Sequence, residues 1–360
     1  MDGIILTDRT ANTREAFIAG LLDVAASDPT ICLVSADSFK AARATPFTER
    51  FPERSFEVGI CEQNAVCFAA GLAATGLKPF FNTYGGFITM RACEQVRTFV
   101  AYPNLNVKFV GLNGGVYGGE REGVTHMVFE DFGILRSIAG MQIVVTADAG
   151  QVRKATRVLA RRDGPAYMRI GSGREPVIFD DSTGFEFGKA RVLREYGNDA
   201  AILAVGPVLK RAILAAEALA KEGIRTTLVE VHTLKPLDAN TIAAVLQRTR
   251  AVVTIEDHNI YGGLGSAVAE VIAEREPACL VRLGLQDVFA ESGEAEMLLD
   301  HFHMGVADVV EAVRLTIARK GAILKGVGKL VSPSRRTNRK VASHAGWRAS
   351  LGADLGKKDL

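Results

Sequence analysis

The sequence predicts an α/β fold of two three-layer domains with mainly parallel sheets. Three observations carry that expectation. Short apolar runs alternate with longer amphipathic ones, the pattern of strands whose crossover helices return to the same sheet. The alternation breaks once, at Gly171-Ser172-Gly173-Arg174-Glu175-Pro176 and Asp180-Asp181-Ser182-Thr183-Gly184, and then resumes. At 360 residues the chain also has room for two hydrophobic cores.

Taken in order, the first half offers helices at 13–26, 62–75, 87–101, 127–137 and 149–162, where apolar residues recur at helical spacing. Between them, apolar runs predict strands at 30–35, 79–83, 107–112, 141–146 and 166–170. After the break, strands are expected at 200–205, 226–231, 251–256 and 279–283. The helices between and after them fall at 208–222, 239–247 and 266–275. Asp238 follows Lys235-Pro236-Leu237 and suits the N-cap of the 239–247 helix. These elements divide the chain into domains at 1–185 and 186–319, followed by a tail at 320–360.

Composition narrows the class. Hydrophobic residues make up 48% and charged residues 23%, as in ordinary globular proteins. No apolar run approaches the ~20 residues that span a bilayer. The N-terminus lacks the basic and apolar regions of a secretory signal. Five cysteines without Cys-x-x-Cys spacing read as reduced, mostly buried thiols of a cytosolic protein, not as a metal site. Residues 320–360 hold ten Lys/Arg against two Asp, so the body of the chain is net acidic. The tail has one aromatic, Trp347, too few for stacking on bases. It reads as a solvated, disordered extension, not a nucleic-acid arm.

Five stretches carry chemistry. In Phe56-Glu57-Val58-Gly59-Ile60-Cys61-Glu62, one acid opens a helix of small and apolar residues running to Ala73. With no wide polar face, that helix is expected to be buried. A lone carboxylate at its mouth needs a partner beyond the helix dipole, and a ligand is the expected one. The second stretch is Phe80-Phe81-Asn82-Thr83-Tyr84-Gly85-Gly86-Phe87, continuing through Met90 and Arg91. The third is the glycine-dense run from Gly111 to Asp131, with Asn113, Glu122, Thr125 and His126; that much glycine after a strand implies close backbone approach. His126 reads either as a ligand-binding residue or as a helix-start residue pairing with Glu130 at i+4. The fourth, Ala166-Tyr167-Met168-Arg169-Ile170-Gly171-Ser172-Gly173-Arg174, offers two guanidinium groups suited to phosphate or to surface salt bridges. The fifth is Val253-Thr254-Ile255-Glu256-Asp257-His258-Asn259 with Gly262-Gly263-Leu264-Gly265. It lacks the full spacing of a dinucleotide fingerprint.

Together these stretches resemble the transketolase family over roughly residues 10–318, specifically its pyrimidine-binding and C-terminal domains. The resemblance implies thiamine diphosphate as cofactor. Glu62 matches the glutamate that shares a proton with the aminopyrimidine ring and so activates the cofactor. Tyr84 and Phe87 match aromatics that pack on that ring. Met90 stands where many members have a third aromatic, and Arg91 belongs to the same cofactor-binding stretch. His126 matches the catalytic histidine that binds donor hydroxyls. Glu122 stands where an aspartate is usual, and Asn113 or Gly114 replaces a histidine that helps bind acceptor phosphate. Arg169 and Arg174 match substrate-binding arginines, and His258 is expected to be structural.

The chain contains no Gly-Asp-Gly, the family's diphosphate and metal motif. The resemblance therefore implies the second subunit of a split enzyme. Thiamine diphosphate would be shared with an N-terminal partner subunit that holds its diphosphate and a Mg or Ca ion, with no metal on this chain. The implied assembly is a cytoplasmic heterotetramer, inactive without the partner. The implied reaction is transfer of a two-carbon ketol unit from a ketose to an aldose, on sugar or sugar-phosphate substrates. A 2-oxoacid dehydrogenase β subunit, a deoxyxylulose-phosphate synthase relative and a catalytically silent partner subunit remain as alternatives.

Overall fold

The structure, a computed structural model, describes residues 3–118 and 122–324. Twelve strands build its two principal sheets. They are β1 (Ile31–Ser35), β2 (Ser55–Glu57), β3 (Lys78–Tyr84), β4 (Lys108–Leu112), β5 (Gln142–Val145), β6 (Ala166–Arg169), β7 (Arg191–Glu195), β8 (Ala200–Val205), β9 (Thr226–Glu230), β10 (Thr233–Lys235), β11 (Ala251–Asn259) and β12 (Cys279–Leu285). The larger sheet runs β10-β5-β6-β4-β3-β1-β2, and the smaller β12-β11-β8-β9-β7. Every pairing is parallel except β10 with β5 and β9 with β7. This is the mainly parallel, helix-covered architecture expected.

Alternation along the central strands distributes side chains to two cores. Ile31, Leu33 and Phe80 pack with Phe17, Ile18 and Leu21 of the Thr13–Ala25 helix. Val34, Phe81 and Phe109 face the opposite side, under Ala65, Val66 and Ala69 of the Glu62–Ala74 helix. That second core continues without interruption into Leu203, Val229 and Val231 of the smaller sheet. A third core covers the far face of the smaller sheet and takes in Tyr117, Met127 and Phe129.

Several expectations are corrected. The helix predicted at 127–137 spans only Asp131–Arg136, because Met127 and Phe129 are drawn as loop residues into the third core. The helix predicted at 87–101 has wide i→i+5 turns at Phe87–Arg91 and Val96–Ala101. The Glu62–Ala74 helix is not buried all round. Cys67, Phe68 and Gly71 lie on an exposed face, with Phe68 37% exposed. Of the cysteines only Cys32 is buried, while Cys61 and Cys67 are exposed; all five are free thiols. The expected 320–360 tail lies outside the described residues beyond Leu324, which ends the Val306–Leu324 helix. Among the described residues, no helix is long and apolar enough to cross a membrane.

Candidate functional site

Glu62 sits at the first position of its helix, after a turn in which Gly59 adopts φ +78. Its side chain is buried, and Arg91 Nη1 lies 2.8 Å from its Oε1. The expected lone acid thus has a partner within the chain. Arg91 is half exposed, and its guanidinium carbon stands 3.5 Å over the ring of Phe87. A cation that bridges a buried acid and an aromatic face while remaining accessible can be displaced when another group binds there.

Phe87 follows the end of β3 by three residues. The turn between them is tight: a Cβ on Gly85 would lie 2.6 Å from Val128 Cγ1 and 2.8 Å from Tyr167 Oη. The turn brings Tyr84 and Phe87 within 5.3 Å of each other, centroid to centroid. His126, from the glycine-dense loop, packs edge-on against both, at 4.8 Å from Tyr84 and 5.2 Å from Phe87. Its Nδ1 lies 2.9 Å from Thr125 Oγ1. The alternative of pairing with Glu130 fails. His126 lies in a turn, and Glu130 Oε2 accepts from the Phe129 N–H at 3.0 Å. Met90 is 48% exposed and fills no core position.

A polar wall adjoins the rings. The Tyr84 hydroxyl donates to Glu122 Oε1 at 3.2 Å, and Asn113 Nδ2 donates to Glu122 Oε2 at 2.7 Å. Burial, followed by the neighbouring Glu122 carboxylate, pushes the Tyr84 phenol above its ordinary pKa. Asn113 is buried, holds φ +56 and accepts from Arg14 Nη2. Arg14 also donates to the Ala41 carbonyl at 2.9 Å, leaving its buried Nε without a partner. Burial is the main influence on the Arg14 guanidinium and lowers its pKa. Sequence reasoning missed Arg14. Its one signal was a cation in the first turn of a helix, where the dipole disfavours it.

Arg169 is no surface salt-bridging residue: its guanidinium is turned into the core, not toward solvent. It is 4% exposed and stands 4.1 Å over the Phe132 ring. Its Nε and Nη2 donate to Asp131 at 2.9 and 2.7 Å. Nη1 donates to the Asp257 carbonyl at 2.6 Å, and Nη2 also reaches the Val128 carbonyl at 2.7 Å. The bond to the Asp257 carbonyl ties β6 of the larger sheet to β11 of the smaller one. Arg174 lies exposed in the loop beyond β6.

The Gly262–Gly265 turn is filled from within. Glu256 Oε2 and Oε1 accept the N–H groups of Leu264 and Gly265 at 2.6 and 2.7 Å, capping the Leu264–Glu274 helix. A Cβ on Gly263 would lie 1.8 Å from Glu256 Oε2, so glycine there makes room for a carboxylate, not for a nucleotide phosphate. Burial raises the Glu256 pKa to about 7. His258 stacks on Phe132 at 4.5 Å, and burial lowers its pKa to about 4, leaving it neutral.

Comparison with known proteins places the chain by sequence and fold. The family model for the transketolase pyrimidine binding domain matches residues 9–173, and that for the transketolase C-terminal domain matches 188–309. A 6-deoxy-6-sulfo-D-fructose transketolase subunit of Clostridium sp. (strain MSTE9) is 40% identical over 309 residues, covering 85% of this chain and 95% of its own. An apulose-4-phosphate transketolase subunit of Phocaeicola vulgatus is 33% identical over 290 residues, covering 80% and 92%. Among solved structures, a split gene transketolase in an inactive beta4 tetramer is 36% identical. It superposes with a TM-score of 0.78, covering 86% of this chain and 99% of that one. On sequence and fold together, the chain belongs to the transketolase family.

Proposed function

We propose that this chain is the pyrimidine-side subunit of a split, thiamine diphosphate-dependent transketolase. It would move a two-carbon ketol unit from a ketose to an aldose acceptor. The donor then leaves as an aldose two carbons shorter, and the acceptor becomes a ketose two carbons longer. The observation that carries this reading is one continuous line of contacts. It runs from Glu62 through Arg91, Phe87, His126 and Tyr84 to Glu122 and Asn113.

The donor set fits half of the cofactor. A buried carboxylate beside accessible aromatic faces suits an aminopyrimidine, so Glu62, Tyr84 and Phe87 would hold that ring, with Arg91 and Met90 at its border. When bound, thiamine diphosphate supplies a carbanion able to attack and cleave next to a carbonyl. Glu62 would hold a proton at the ring nitrogen in surroundings that keep water away. His126, Glu122 and Asn113 would bind substrate hydroxyls, with Arg14 fixing which way the Asn113 amide points. Exposed Arg174 remains the candidate for an anionic end of the substrate. The fold is divided between a pyrimidine-binding domain up to residue 185 and a second domain from 186.

The diphosphate and its Mg or Ca ion are assigned to an N-terminal partner subunit. The exposed apolar face of the Glu62–Ala74 helix, together with Ile60 at 71% exposure, supports such a partner. Two chains of each kind would form a cytoplasmic heterotetramer. The test is to mix the chain with a partner subunit carrying Gly-Asp-Gly and assay ketoses and 2-oxoacids side by side. Ketol transfer supports the reading. Oxidative decarboxylation of a 2-oxoacid, or no turnover with either, overturns it.

A further inference from the structure

The second domain holds none of the residues just described, yet it grips the loop that carries two of them. Asp257, on β11, is 2% exposed. Its Oδ1 accepts the N–H of Val116 at 2.8 Å and its Oδ2 that of Tyr117 at 3.1 Å. Gly115, just before them, has φ +70, and a Cβ there would lie 2.1 Å from Asp257 Oδ2, so the turn closes directly on the carboxylate. The Tyr117 hydroxyl donates to Glu296, which Arg211 holds in turn. At the far end of the loop, the Asn259 N–H donates to the Phe129 carbonyl at 2.7 Å. Arg169 ties the Val128 carbonyl to the Asp257 carbonyl. Glu122 and His126 lie between these two anchor points.

We infer that the second domain is the platform that positions Glu122 and His126, with Asp257 as the positioning residue. A buried carboxylate is costly unless fully bonded, and here both oxygens accept from consecutive loop amides. That fixes where the loop starts, while β11 and Arg169 fix where it ends. Between these anchors His126 packs on the Tyr84–Phe87 corner. Asp257 itself touches neither substrate nor cofactor. The loop placement stands on geometry alone; its consequence for substrate rests on the proposed function.

Amide hydrogen exchange on the full chain tests the placement. Asp257→Asn replaces one acceptor by a donor facing an N–H, so amides across residues 113–131 should exchange about tenfold faster, with the Glu62–Ala74 helix unchanged. Tyr117→Phe removes one hydroxyl without disturbing the core. It should raise exchange in the same segment about threefold and carries the test if Asp257→Asn does not fold. Assembled with the diphosphate-binding partner, thiamine diphosphate and magnesium, and assayed with hydroxypyruvate as ketol donor, Asp257→Asn should raise KM about tenfold, with kcat within about threefold. Unchanged exchange across 113–131 in the folded variants, or a loss confined to kcat, overturns the inference. If wild type transfers no ketol unit from hydroxypyruvate or from any ketose, the proposed function is what fails, and the exchange result still decides the loop.

Discussion

At the scale of single residues, Glu62 and His258 make the sharpest predictions. Glu62→Ala, assembled with the partner, should lose at least about a hundredfold in turnover if Glu62 holds the ring proton as proposed. The measurement is steady-state ketol transfer. His258 titrates near 4 in the fold against about 6.5 when unfolded, so the unfolded chain takes up the proton first as pH falls. Stability from its neutral, stacked ring is present above pH 6.5 and lost progressively toward pH 4. Glu256 and Glu230, both raised to about 7 by burial, act in the opposite direction between pH 7 and 4.5. Comparison with His258→Phe isolates the histidine. In urea unfolding, wild type should lose roughly 2–3 kcal/mol relative to the variant between pH 7 and 4. The contact between the Tyr84 and Phe87 rings was legible because the two lie three residues apart. Arg169 was misread because its partners Asp131 and Asp257 are 38 and 88 residues away.

At the scale of elements, the Thr13–Ala25 and Glu62–Ala74 helices and the central strands follow their apolar spacing closely, because one sheet decides their burial. Two misread elements have their fate decided by the other domain. Met127 and Phe129 have helix-compatible spacing but leave for a core formed mainly by the smaller sheet. The antiparallel edge strand β10 is donated to the larger sheet from beyond the turn-rich break, which periodicity cannot reveal. Arg169 of β6, bonded to Asp131 and to the Asp257 carbonyl of β11, links the two sheets directly. Arg169→Met would leave Asp131 buried beside Tyr167 without its counter-charge, at a cost of about 3–5 kcal/mol in denaturant unfolding.

At the scale of the whole molecule, the exposed apolar surface around the Glu62–Ala74 helix is the feature a single sequence concealed. Its small residues looked buried, and in the isolated chain one face is not. Ile60→Glu should leave the unfolding free energy of the isolated chain within about 0.5 kcal/mol of wild type, since that side chain is already 71% exposed. The same change should prevent co-elution with the partner in size-exclusion chromatography, because a charge would be buried unpaired. The central claim is that this chain holds half of a cofactor site. Calorimetric titration of thiamine diphosphate with magnesium tests it most directly. The account predicts no tight binding to the chain alone, and tight, Glu62-dependent binding once the partner is present. Tight binding by the chain alone, accompanied by turnover, would contradict it.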